Sequence, residues 1–138
     1  MMLAWRVMAL FLLAVVLWGA TTGSTRARQA TCDRQPRLET WLHAQAATWE
    51  KVLIPKTGYE KPENVIVCRA TSGRSYADYL HNRIYLRFVD AEEDQLSLAH
   101  EYLHLAFKHH PRAYDEQFIE RIARELILHE RHSYEASD

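Results

Sequence analysis

The residues of this chain best suited to chemistry are His100-Glu101-Tyr102-Leu103-His104. A spacing of four on a helix stacks the two imidazoles one turn apart on one face. There each can give a nitrogen to a single zinc ion. Glu101 leaves the helix beside the ion's open position, where a carboxylate can take a proton from water. The chain holds 8 histidines in 138 residues, and such a composition produces the pattern by chance in about 4 of 100 chains. The surroundings argue against chance. Leu96, Leu98, Ala99, Leu103, Leu105, Ala106 and Phe107 make the segment apolar on several sides. Ionisable groups inside such a helix cost several kcal/mol unless satisfied, and a metal satisfies three at once. The plainer alternative is a surface histidine pair or hydrogen-bonded core histidines.

A catalytic zinc needs a third protein ligand and keeps its fourth place for water. Glu116 is the preferred candidate, because a tight turn at His110-Pro111-Arg112 brings the final helix back against the motif helix. Glu120, one turn further on, is placed to accept the other ring N–H of a ligating histidine and so fix its tautomer. His110 is the alternative third ligand. It stands at the spacing of HExxHxxGxxH, but Phe107 occupies the position of the glycine that lets the chain turn. Asp115 is a weaker option and equally an N-cap. Tyr114, Arg112, His129, His132 and Tyr134 are available as oxyanion donors, with nothing to single one out.

HExxH followed by Glu116 and Glu120 resembles the gluzincins, the thermolysin-like zinc peptidases, over residues 83–130. It departs from them in having glutamate at 120, where aspartate is usual, and in the short gap from His104 to Glu116. The resemblance implies a minimal zincin-like domain in which a zinc-activated water, with Glu101 as general base, hydrolyses a peptide bond. It also implies an edge strand that pairs with extended substrate, here residues 83–88 or 74–82. The stretch Ser97 to Phe107, with His110-Pro111 and Asp115-Glu116, also resembles a family of bacterial secreted proteins often encoded near bacterial alpha-2-macroglobulins. That implies a periplasmic setting and supplies no substrate; an envelope protein partner is an option under an accessory-module reading.

The elements that must position these groups can be read along the chain. Pro36 opens a helix carrying Leu38, Trp41, Leu42, Trp49, Val52 and Leu53, and Pro55 ends it. Trp41 and Trp49, on one stripe, are expected in the core rather than on a stacking face. Residues 65–68 form a buried strand, and residues 83–88 alternate as a half-buried one with Ile84, Leu86 and Phe88 inward. Residues 74–82 read as an edge strand or an ordered loop. Asp90 with Glu93 makes a capping box for the motif helix, which should stop near His109 because His110 precedes proline. A last amphipathic helix runs from about Tyr114 to about Arg131. The expected fold class is α+β: an N-terminal helix, a short antiparallel sheet, the motif helix and a C-terminal helix.

Residues 1–27 read as a signal peptide: a basic start, an apolar run at Val7 to Trp18, then small residues. The run is short of the roughly 20 residues of a membrane span, so no stable span is expected after cleavage at Ala27 or Gly23. The alternative is an uncleaved anchor. The remaining residues, 28–138, form one domain, secreted or periplasmic. Cys32 and Cys68 read as one disulfide in that compartment, with metal ligation the lesser alternative. No basic stretch interleaves with aromatics and the net charge is −1, so nucleic acid is not an expected partner. Two functions are compatible with these residues. One is a zinc peptidase acting on a peptide or protein substrate. The other is a non-catalytic, zinc-stabilised binding or accessory module of a cell-envelope complex.

Overall fold

The computed structural model describes residues 31–87 and 93–135, with side chains described for 31–87 and 94–128. The signal peptide, Phe88, the Asp90–Glu93 capping box and the side chains of His129, His132 and Tyr134 lie outside them. Helix α1 spans Pro36–Leu53 and α2 Glu93–Ala106, while α3 covers Glu116–Glu135. The strands are β1 Asp33–Arg34, β2 Ile66–Arg69, β3 Tyr76–Asp78 and β4 Arg83–Leu86. This is a small α+β domain.

Proline occupies the first turn of α1, where its missing N–H is no loss. Leu42, Ala46, Trp49 and Leu53 recur at helical spacing and are all buried. Trp49 is in the core, and Trp41 packs half-buried against it with ring centroids 5.9 Å apart. Past Pro55 the chain turns through Gly58, whose φ of +79° favours glycine. The N–H of Glu60 then donates to the Ala106 carbonyl and caps the end of α2.

The sheet is mixed, not antiparallel throughout, and its order is β1-β2-β4-β3. β2 and β4 run parallel, with Val67 opposite Ile84 and Cys68 opposite Tyr85. β3 and β1 each add antiparallel at an edge. Burial accounts for the difference. Ile84, Tyr85 and Leu86 are all buried, so β4 takes an inner position, and the chain first crosses to lay down β3 outside it. Strict alternation puts Tyr85 outward, but Tyr76 of β3 stacks on its ring at 4.7 Å and covers it. Cys32 and Cys68 are joined in a disulfide that ties the chain before β1 to β2.

Helix α2 is the central element. Leu98, Ala99, Tyr102, Leu103, Leu105 and Ala106 are buried. The helix ends at Ala106, earlier than expected. From there His110 N–H bonds to Phe107 and Ala113 N–H to His110. These three-residue closures tighten the chain before Pro111 is reached. Helix α3 then begins at Glu116 rather than Tyr114. Asp115 is its N-cap, its carboxylate accepting the Phe118 N–H at 3.0 Å.

Candidate metal centre

Helix α2 carries His100 and His104 on the face that meets α3, with ring centroids 4.9 Å apart. The run of turns between the helices is short, so α3 returns with Glu116 and Glu120 against that face. Glu116 Oε2 lies 2.9 Å from His100 Nε2, and Glu116 Oε1 lies 3.5 Å from His104 Nε2. The two Nε2 atoms are 3.1 Å apart. Tetrahedral zinc with bonds of about 2.0–2.1 Å holds its ligand atoms roughly 3.3 Å apart. The two Nε2 atoms are near that spacing, while Glu116 meets each ring with a different oxygen, and one ligand atom from each of the three residues falls within 4.8 Å of the others.

The far side of each ring decides which nitrogen faces the cluster. His100 Nδ1 lies 3.0 Å from Glu120 Oε2, and His104 Nδ1 lies 2.9 Å from the Ala113 carbonyl. Both acceptors require Nδ1–H, which leaves both Nε2 lone pairs directed at each other and at a carboxylate. Such a convergence of acceptors is satisfied by a bound cation or by a proton shared among them. His104 and Glu101 are buried, whereas Glu116 is exposed and leaves one side of the cluster open. Burial raises the Glu101 carboxyl to about 7, with Glu116 adding to the rise and His100 opposing it.

The cluster sits in a cleft of about 850 Å³, faced by β3 and the residues flanking it. Tyr79 and Tyr114 meet there, rings 5.9 Å apart. Burial pushes the Tyr79 phenol up to about 12, so it remains a proton donor at neutral pH. Glu120 also pairs with Arg124 at 2.7 Å.

The structure thus brings His100, Glu101, His104, Glu116 and Glu120 together. It does not bring His110 to them. That ring stacks on Phe118 at 4.9 Å, and its Nδ1 accepts the Arg112 N–H. Asp115 is occupied by its cap and by Arg112. The other described histidines have separate partners: Val65 for His43, Asp78 for His81 and Glu60 for His109. The Ala113 carbonyl and Tyr79 carry no sequence signal. One is backbone, and the other lies in a segment whose fold was open.

The fold and site define a small α+β domain with a histidine–carboxylate cluster at one cleft. The chain belongs to the family described as predicted secreted protein (DUF2300), which matches residues 12–112. That description agrees with the export expected from the N-terminal segment. The match includes the HExxH residues and stops short of Glu116. The chain is 37% identical over 111 residues to the Escherichia coli (strain K12) protein named "Uncharacterized protein YfaQ". The aligned stretch is 80% of this chain and 19% of that relative, so the chain spans about a fifth of its length. No solved structure matches. Among the described residues, no helix is long and apolar enough to cross a membrane.

Proposed function

We propose that the chain is a secreted or periplasmic zinc-dependent peptidase, with His100, His104 and Glu116 holding the metal and Glu101 as general base. The observation that carries this reading is the convergence of both Nε2 atoms and the Glu116 carboxylate within 4.8 Å of one another. When bound, zinc lowers the pKa of a water towards about 7 and polarises a carbonyl. The Glu101 carboxylate, poised near neutrality, takes a proton from the attacking water and returns it to the leaving amine. Glu120 and the Ala113 carbonyl hold the two rings in the Nδ1–H tautomer. Of the two segments considered for pairing with substrate, residues 74–82 contain the edge strand β3 that borders the cleft, while β4 is flanked on both sides.

A second reading has one observation in its favour. The chain spans 19% of its longer relative, as an accessory zinc-stabilised module of an envelope assembly would. Metal analysis combined with a peptide-library digest separates the two. The peptidase reading expects one zinc per chain in wild type and in Glu101→Gln, with cleavage lost only in the variant. Glu116→Gln should lose most of the metal. Zinc retained in full by Glu116→Gln sinks the ligand assignment. Zinc bound with no cleavage by wild type favours the accessory module.

A further inference from the structure

Glu116 is the member of the cluster that the core holds least. Its side chain is 71% exposed, and its partners among the described residues are the two histidines. It is also the first residue of α3, and helix ends fray. A ligand at such a place is only as well fixed as the backbone beneath it. Arg112 fixes that backbone. Its Nε and Nη2 both donate to Asp115 Oδ2, at 2.9 and 2.5 Å. Asp115 Oδ1 in turn accepts the Phe118 N–H. The guanidinium carbon lies 4.7 Å from the centroid of the Phe118 ring. That ring packs edge-on against Phe107 at 5.7 Å, and Phe107 is fully buried. The main chain of Arg112 joins in: its N–H donates to His110 Nδ1, and its carbonyl accepts the Asp115 N–H at 3.0 Å. One side chain thus grips the residue before Glu116 and the residue two places after it. Arg112 is engaged in this grip and does not line the cleft, which removes it from the oxyanion candidates.

We propose that Arg112 and Asp115 are positioning residues for the metal: they hold the first turn of α3 so that Glu116 stands against both Nε2 atoms before an ion arrives. This rests on reading Glu116 as a ligand. The reason is one of populations. Apparent metal affinity falls with the fraction of molecules in which the third ligand is in place. An end turn has little stability in reserve, so a lost cap lowers that fraction directly. Replacing a capping side chain by alanine shifts such an equilibrium roughly two- to thirtyfold. The planar fork of Arg112 keeps the Asp115 carboxylate turned so that its free oxygen faces the Phe118 N–H. An exposed ion pair three residues apart adds little to the stability of a whole domain, so the effect of Arg112 belongs at the metal and not in the melt. The Ala113 carbonyl that orients His104 is held separately, because the Ala113 N–H donates to the His110 carbonyl at 2.9 Å.

The test is the zinc affinity of the full chain, read by competition with a fluorescent chelator. Asp115→Ala should bind zinc about five- to tenfold more weakly than wild type. Asp115→Asn, whose side-chain oxygen also caps, should keep most of the affinity. Arg112→Gln should lose about threefold, with the melting temperature of the zinc-free protein little changed. The deciding comparison is made in a Glu116→Gln background. A merely structural cap weakens the site whatever stands at position 116. Positioning of Glu116 predicts that, in this background, Asp115→Ala changes zinc affinity by less than about twofold. An equal loss with and without Glu116 overturns the proposal, as does wild-type affinity in Asp115→Ala or in Arg112→Gln. If Asp115→Ala fails to fold, as checked by a circular dichroism melt, the exposed Arg112→Gln carries the same comparison. Full zinc retention by Glu116→Gln overturns the ligand assignment and the positioning with it. Loss of metal in Glu116→Gln beside wild-type affinity in Asp115→Ala leaves the assignment standing and removes the positioning alone.

Discussion

At His100 the two ring nitrogens have different tasks. Nδ1–H donates a hydrogen bond to Glu120, and Nε2 faces Glu116 and His104. Removing an outer hydrogen-bond partner of a ligating histidine typically weakens metal affinity about 10–100-fold. Glu120→Ala should therefore lower zinc affinity by about that range, measured by chelator competition, with the melting curve little changed. An unchanged affinity would mean that Glu120 serves only its pair with Arg124. At the scale of single residues the sequence was informative where chemistry is written in side chains: His100, His104, Glu116 and Glu120 stood out by type and spacing. The Ala113 carbonyl does as much for His104 as Glu120 does for His100. A backbone oxygen leaves no mark on the sequence, so only the fold reveals it.

Between elements, Glu39 ties three pieces together. From α1 it pairs with Arg34 of β1 through two hydrogen bonds, and Oε1 also accepts the Val67 N–H of β2 at 3.2 Å. Glu39→Gln should cost about 1–3 kcal/mol, since a buried N–H and a guanidinium lose a charged acceptor. The Arg34 hydrogen bond holds the Glu39 carboxyl below its ordinary value of 4.5, against an opposing effect of burial. A depressed folded-state pKa gives stability that is present above the unfolded value and is lost as pH falls through the folded one. The gap in stability between wild type and Glu39→Gln should thus be steady near neutrality and close below about pH 4.5. Denaturant melts across that range measure it. A second contact explains the place of His110. A Cβ at Gly58 would lie 2.7 Å from His110 Cδ2, on a backbone with φ +79°. Gly58→Ala should lower the melting temperature, by a loss that outweighs the usual gain of about 0.4–1 kcal/mol from stiffening the unfolded chain. A rise in melting temperature would show that His110 yields easily and that the packing is loose.

On the scale of the whole domain, the disulfide joins residues 36 apart in sequence and fixes the β1 edge of the sheet. Its reduction should cost about 2–4 kcal/mol, seen as a lower melting temperature with reductant. Zinc content should change little, since the proposed metal ligands sit on α2 and α3 and none on β1. Loss of zinc on reduction alone would instead couple the sheet edge to the site. The core beneath is one cluster in which Trp49 of α1 meets Tyr102 of α2 at 5.8 Å. Trp49→Ala should cost about 3–5 kcal/mol, measured by denaturant unfolding.

The sequence by itself pointed to the three helices, the strands at residues 65–68 and 83–88, the disulfide and, with His110 still open as third ligand, the histidine–glutamate cluster. Each depends on local period, caps and side-chain chemistry, which neighbours in the chain express together. The tertiary structure alone decided the sheet order, and with it that β4 lies inside and β3 borders the cleft. It excluded His110 from the cluster, because its ring packs on Phe118 and Gly58. These outcomes turn on which distant surfaces bury one another, and strand pairing between distant segments has no local period that a sequence could display.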